Sequence, residues 1–465
     1  MRLAVSPNGG SARERQALED RFGDRLAVNP ELTRKAVSYQ GNQRVPGLRW
    51  MKYKEGFSRG LVEHILDTYR PSAVLDPFAG IGTTPLIAAS RGMRSTGVEI
   101  MPVGVLAATA IAEAANGVSK HELESAGANL LDAVTYRDDA PSEHAFPHVR
   151  ITEAAFPPET ESAIARVREF LSTVDDDSIR TMLNFACMSV LEAVSYTRKD
   201  GQYLRWDYRS DRALRGRVNK GPILPFEQAL GERLFEMIQD LAPLKQEFGG
   251  ANPKFLTGSS LELLRGLPDA SFDMVMTSPP YANRYDYTRT YALELAWLGY
   301  DNDDFSALRQ QLLSATVENK SKLEWLEQTY EPDSAALEHA VGMYDGQGAV
   351  HEVLDILREH IEELGNRHVI RLIEGYFLEM SLIVAELGRL VRPGGTVVMV
   401  NDNVQYHGEE VPVDLILSDY AEQSGFKCTK IWTLQRGKGN SSQQMGRFGR
   451  RELRKCVYFW ERLDD

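Results

Sequence analysis

Cysteine is scarce: Cys187, Cys428 and Cys456 are the only three in 465 residues, and no two stand at metal-ligand spacing. Neither a zinc site nor a disulfide framework is indicated. Long apolar runs are missing too. No stretch reaches the length that crosses a bilayer, and the first residues, MRLAVSPNGGSARERQ, lack the apolar core of a signal peptide. The cytoplasm is therefore the expected location, with no membrane partner. Positive charge is in deficit, since 53 Lys and Arg face 66 Asp and Glu for a formal net charge of −13. That sum disfavours phosphate contact, so any such contact has to rest on where the cations cluster. Internal repeats and low-complexity segments are absent as well. What remains is a globular composition, 43% hydrophobic and 26% charged, in a chain long enough for two or three units with a large core.

The first informative element is Asp76-Pro77-Phe78-Ala79-Gly80-Ile81-Gly82-Thr83-Thr84. Ala73-Val74-Leu75 reads as a short apolar strand, Gly80 and Gly82 as a tight turn, and residues 83–90 as the start of a helix. This order lets backbone approach a nucleotide-like ligand closely. The loop is not of the Walker type, because no Gly-Lys-Ser/Thr follows, and Pro85 stands where a dinucleotide fingerprint would place its third glycine. Asp76, at the strand's carboxyl end, suits a cationic amino group. The next strand, residues 95–98, ends in Glu99, whose carboxylate can accept both hydroxyls of a ribose. Both features fit S-adenosylmethionine, an adenosine that carries a sulfonium amino acid and no phosphate. The alternative is a doubly wound protein that uses its acidic strand end for NAD.

About 200 residues later the apolar run 272–276 leads into Thr277-Ser278-Pro279-Pro280-Tyr281. A Ser hydroxyl and the carbonyl between two prolines can accept both hydrogens of an aromatic amine, drawing its lone pair out of conjugation. Each proline lacks an N–H and holds φ near −65°, so the turn is stiff. Tyr281 offers a flat face on which a base taken out of its helix can stack. A strand end followed by a plain Pro-rich turn is the alternative.

Taken together, these motifs resemble those of the amino-methyltransferases of DNA. The resemblance is specific over about 60 residues. DPFAGIGTT is similar to the family's cofactor motif, Glu99 to its ribose-binding acid, and TSPPY to its catalytic motif. It implies an α/β fold: a Rossmann-like class I methyltransferase sheet, mostly parallel with a closing antiparallel hairpin, carrying large helical insertions. It implies Ser278, Pro279, Pro280 and Tyr281 as catalytic residues. For the cofactor it implies Phe57, Asp76, Pro77, Phe78, Gly80, Gly82, Thr83, Glu99 and Ser259. Phe57 enters through the segment Lys54-Glu55-Gly56-Phe57-Ser58 before the first strand, where Ser58 also reads as a helix cap and Phe57 as a hydrophobic staple. Ser259 stands where many relatives carry an acid for the adenine amine, so a hydroxyl or backbone contact is the substitute. A Ser opening the tetrapeptide is most typical of cytosine-N4 enzymes. No cysteine follows a proline, which argues against methylation of cytosine C5 through a Pro-Cys nucleophile.

Two basic stretches are candidates for DNA. One runs from Lys427 to Arg462 with about ten Lys and Arg against two Glu, including Arg436, Lys438, Arg447 and Arg450. The other interleaves aromatic residues with Arg205 and Arg209 and continues through Arg212, Arg215, Arg217 and Lys220. Arg284, Tyr285 and Arg289, just after the tetrapeptide, complete the set. Exposed loops whose arginines pair with the abundant acids are the alternative. The expected organisation is an N-terminal extension (1–50), a cofactor half (51–116), a helical insertion with possible target recognition (117–250), a catalytic half (251–300), a second helical insertion (301–365) and the C-terminal sheet with a basic hairpin loop (366–465). Residues 141–158 read as the linker. The expected function is methylation of the cytosine N4 amine in double-stranded DNA, within a restriction-modification or related defence system that could include a cognate endonuclease. Adenine-N6 methylation, or a non-catalytic DNA-binding subunit that keeps the fold, are the alternatives.

Overall fold

The computed structural model describes residues 8, 11–54, 56–135, 142–200, 203–214, 218–331, 334–435, 448 and 452–464. The strands of its first half are β1 (Leu26–Val28), β2 (Ala73–Asp76), β3 (Arg94–Glu99), β4 (Thr197–Asp200), β5 (Tyr203–Trp206) and β6 (Lys254–Thr257). Those of its second half are β7 (Phe272–Thr277), β8 (Val391–Asp402), β9 (Val404–Tyr406), β10 (Glu409–Val411), β11 (Phe426–Thr433) and β12 (Lys455–Arg462). Eight of them form one sheet in the order β1-β11-β12-β8-β7-β2-β3-β6. From β6 to β8 the neighbours run parallel, while β12 lies antiparallel to both β8 and β11. This is the expected α/β sheet with its closing antiparallel hairpin. The chain moves outward from β2 through β3 to β6, then returns to lay β7 on the other flank of β2. Such a reversal opens a crevice at the carboxyl ends of the two central strands, where α/β sheets bind ligands.

Strand alternation divides the core. Val74, Met274, Met276, Val398, Val400, Val457 and Phe459 are buried in one apolar cluster. Their neighbours Ala73, Leu75, Val275, Val397, Met399, Tyr458 and Trp460 are buried in another. Successive side chains on a strand point to opposite faces, so each face of the sheet carries its own core. The helices Lys120–Thr135, Asp177–Val194 and Phe226–Phe248 join the first cluster through Leu123, Phe185 and Leu230. Those of the second insertion, Leu323–Tyr330, Ala335–Asp345 and Gly348–Glu359, join the second through Leu326, Leu337 and Val350. Both insertions thus extend these cores, packing chiefly on the helices Pro102–Asn116 and Val369–Leu390.

The structure corrects two readings. Within 141–158, Phe146, Val149, Ala155 and Phe156 are buried against the first cluster; short apolar side chains between prolines are packed here, and the segment is no loose linker. Residues Arg392-Pro393-Gly394-Gly395, expected from sequence to be a turn leading into a strand over 396–400, lie inside β8, where Gly394 has φ 74° and the pairing to β7 shifts register between Phe272 and Met274. Among the described residues no helix is long and apolar enough to cross a membrane.

Candidate active site

Two strand tips meet at the reversal point. The Thr277 hydroxyl, at the end of β7, donates to Asp76 Oδ1 at 2.6 Å, at the end of β2. The Phe78 N–H donates to the same oxygen at 3.0 Å. One strand over, the Glu99 carboxylate accepts from the N–H of Gly80 and of Met101, each at 2.6 Å. Asp76 and Glu99 therefore brace the turn between them. Gly80 has φ 57°, and a Cβ there would lie 3.0 Å from the Tyr53 ring. Gly82 has φ 82°, and a Cβ would lie 2.8 Å from the Phe255 ring. Only glycine fits either position without strain.

A cavity opens over this turn, lined by Phe57, Asp76, Pro77, Phe78, Gly80, Thr83, Glu99 and Ser259 together with Ser278 and Pro280. Of the cofactor residues expected from sequence, only Gly82 is not on its wall, because Gly82 is turned against Phe255. Two buried carboxylates face the cavity, and its described lining contains no Lys or Arg. Burial pushes the Asp76 carboxyl up to about 6, against the hydrogen bonds from Thr277 and Phe78. Burial likewise pushes Glu99 up to about 7, against the backbone donors and with Asp76 adding to the rise. The set suits a ligand that offers a cation and hydroxyl donors. It does not suit a phosphate, which needs cations or a nest of free N–H groups.

A second cavity adjoins the first. Ser278, Pro279, Tyr281, Asn283 and Tyr285 line it, together with Arg198 and Lys199 of the β4–β5 hairpin, Asp402 and Lys455. Ser278 borders both cavities. Its hydroxyl lies 3.2 Å from the Tyr281 hydroxyl, and Lys455 Nζ lies 5.6 Å from the Tyr281 ring centroid. Tyr406 fixes the loop from behind, donating its hydroxyl to the Ala282 carbonyl at 2.5 Å. The Lys455 ammonium sits 3.2 Å from Asp402. Burial alone would lower its pKa; the Asp402 carboxylate outweighs that and holds it up.

The proposed DNA residues are dispersed. Tyr285 is buried on the second cavity's wall, edge-on to Tyr287 at 4.9 Å. Arg284 lies beside Tyr406, 5.9 Å from its ring centroid. Arg289 pairs with Asp286 at 3.3 Å and Glu318 at 2.8 Å. Arg205 is exposed on β5, opposite Arg198 on β4. Arg209 grips Asp207 at 2.7 Å and holds that carboxyl far below its usual range. Lys220 donates to the carbonyls of Ser195 and Thr197, and burial pushes its ammonium down to about 8. Part of the basic, aromatic stretch thus ties the hairpin together from within. Arg436, Lys438, Arg447 and Arg450, with Arg215 and Arg217, lie outside the described residues.

Sequence reasoning missed several contributors. Tyr53, stacked on Tyr291 at 5.2 Å, walls the first cavity, as do Met101 and the segment Gln311 to Leu313 from the second insertion. The Gln311 carbonyl accepts from the Ser259 hydroxyl at 2.9 Å, so that hydroxyl is committed to the protein. Lys455 carries no motif of its own, whereas Asn401-Asp402-Asn403, expected from sequence either to line the pocket or merely to form a turn, places Asp402 on the second cavity's wall. Away from the site, the structure brings His360, Glu363 and His407 within 4.8 Å of one another. His360 Nδ1 is 3.1 Å from Glu363, a hydrogen-bond distance that needs no metal.

Comparison with known proteins finds full-length relatives. The chain is 39% identical over 474 aligned positions to the Type II methyltransferase M.AvaI of a Nostoc species, and equally to the protein of that name from Anabaena variabilis, with 97% of this chain and 94% of each relative covered. It is 38% identical over 480 positions to the Type II methyltransferase M.BsoBI of Geobacillus stearothermophilus, covering 97% of this chain and 92% of that one. No family model matches, and no solved structure gives a significant match.

Proposed function

The chain belongs to the Type II methyltransferases, the DNA-modifying members of restriction-modification systems, and from that premise we propose that it methylates the N4 amine of a cytosine flipped out of double-stranded DNA, using S-adenosylmethionine. The observation that carries this reading is the placement of Ser278, which borders both cavities at a strand tip tied to Asp76 by a 2.6 Å hydrogen bond. Asp76 is the partner proposed for the cofactor's ammonium and Glu99 for its ribose hydroxyls, in a pocket whose charges fit that ligand. When bound, S-adenosylmethionine supplies an electrophilic methyl group on a sulfonium.

The chain's own residues do the rest. Ser278 Oγ and the Pro279 carbonyl accept the two amine hydrogens, leaving the nitrogen lone pair directed toward the first cavity. Tyr281 presents its face to the base ring. The tetrapeptide needs little freedom to do this, because the prolines and the Tyr406 bond hold it. A strong base is not required, since the nitrogen's proton becomes acidic once the methyl is attached; positioning supplies most of the acceleration. The first insertion is the better candidate for target recognition, because its β4–β5 hairpin brings Arg198 and Lys199 to the acceptor cavity while the second insertion walls the donor side. A restriction endonuclease with the same recognition site is the partner this class implies.

The test is expression in a host free of DNA methylation, followed by nucleoside mass spectrometry and single-molecule sequencing of its DNA. N4-methylcytosine confined to one sequence motif is expected. N6-methyladenine would overturn the choice of base, and unmodified DNA together with tight cofactor binding would favour a non-catalytic subunit.

A further inference from the structure

The acceptor cavity contains a charged pair for which amine polarisation has no use. Lys455, at the start of β12, and Asp402, at the end of β8, are cross-strand partners in register. Both line the cavity with Ser278, Pro279 and Tyr281. The ammonium lies 3.2 and 3.4 Å from the two carboxylate oxygens, and the side chains are 18% and 33% exposed. A half-buried pair of this kind is weak evidence for stability. Its position is what stands out. An ammonium has three donors, Asp402 accepts on one side, and the Tyr281 ring lies 5.6 Å away on another. A base docked between Ser278 and Tyr281 in this cavity would meet the remaining donor capacity.

The chemistry of that edge decides what fits. A cytosine whose amine points at Ser278 and Pro279 presents two acceptors next to the amine, ring N3 and then O2. An adenine placed the same way presents N1 and then a C–H. A buried donor facing that C–H loses its partner, which lowers the rate about tenfold to a hundredfold. We propose that Lys455, oriented by Asp402, selects the base, donating to O2 of the flipped cytosine, where adenine presents only a C–H, and so discriminating against adenine. This rests on the cytosine reading given above. Lys455 is a specificity-determining residue that touches substrate; Asp402 is a positioning residue that acts through it.

The experiment uses the full-length protein and synthetic duplexes carrying the motif found by sequencing, with either cytosine or adenine at the modified position. Single-turnover methyl transfer is measured for the wild type, Lys455→Met, Lys455→Arg and Asp402→Asn, with cofactor affinity as the folding control. Lys455→Met is expected to slow transfer to cytosine about tenfold or more while changing transfer to adenine far less, so that the preference collapses. Lys455→Arg should recover part of the preference, and Asp402→Asn should shift it in the same direction by a smaller factor. An unchanged preference in Lys455→Met, or an equal loss on both bases with cofactor affinity intact, would overturn the proposal. Should Lys455→Met fail to bind cofactor, Asp402→Asn decides alone. A wild type that prefers adenine would overturn the cytosine reading itself, whereas a cytosine-preferring wild type with an indifferent Lys455→Met would overturn only the role given to Lys455.

Discussion

Replacing Ser278 by alanine removes one of the two acceptors for the amine hydrogens and leaves the carboxylates of the donor cavity untouched. The expected result is a single-turnover rate about tenfold to a hundredfold lower, roughly 1.4–3 kcal/mol of barrier, with unchanged cofactor affinity; rapid-quench assays beside cofactor titrations separate the two. Asp76→Asn asks a different question. Asn keeps an oxygen for Thr277 and Phe78 and drops the charge. Since burial has already raised this carboxyl to about 6, losing the charge should leave the melting temperature of the ligand-free protein level or higher while cofactor affinity falls about tenfold or more. A loss of stability in parallel with affinity would mark Asp76 as structural. The residues that form local motifs were readable in advance: Ser278 to Tyr281, Asp76 and Glu99 sit on short signatures whose chemistry is self-contained. Tyr53, Gln311 and Lys455 were not, because each reaches the cavities from a distant segment and its neighbours in sequence announce nothing.

At the scale of elements, apolar spacing and caps placed the helices that surround the site. Ser58 caps Arg59–Tyr69 by accepting from the Leu61 N–H, and Leu61, Val62, Ile65 and Leu66 form the helix's buried face. Thr83–Ser90 begins where the glycine turn ends. Elements that depend on distant partners left no such trace. β1 is three residues of the N-terminal extension, given strand form by pairing with β11 some 400 positions later. The β9–β10 hairpin that carries Tyr406 behind the catalytic loop is also three residues a side. The glycine turn itself yields a prediction. Gly80→Ala imposes a left-handed conformation on an L side chain and sets its methyl 3.0 Å from the Tyr53 ring. It should cost about 1–2 kcal/mol of stability and weaken cofactor binding more than Gly92→Ala. Gly92 has a similar φ of 75° but open space around its Cα. Thermal denaturation and cofactor titration of the two variants side by side isolate the Tyr53 contact from backbone strain.

Across the whole molecule, net charge and site charge oppose each other. A chain of −13 has to hold duplex DNA through a local concentration of cations, and Lys52, Lys54 and Arg198 gather around the acceptor cavity, where Lys199 and Lys455 are already paired with Glu294 and Asp402. Arg198→Ala should therefore weaken duplex binding on every sequence and reduce the slope of log affinity against log salt by about 0.9 if Arg198 meets one phosphate. An unchanged slope would remove it from the interface. The donor cavity carries the opposite charge and a pH dependence of its own. Asp76 and Glu99 rise on folding from 3.8 to about 6 and from 4.5 to about 7, so the native state holds protons that the unfolded chain has already released. The stability this confers is fully present below about pH 4 and is lost as pH rises through 6 and 7, roughly 3 kcal/mol for each group by pH 8. A cationic, hydroxyl-bearing ligand favours the ionised carboxylates, so cofactor affinity should run the other way and strengthen from pH 5.5 to 7.5, with protons released on binding in the middle of that range. Calorimetry at pH 6.5 in two buffers of different ionisation enthalpy reads that release directly. Affinity that is flat across the window, with no proton release, would mean that neither carboxylate meets the cofactor as a charged group.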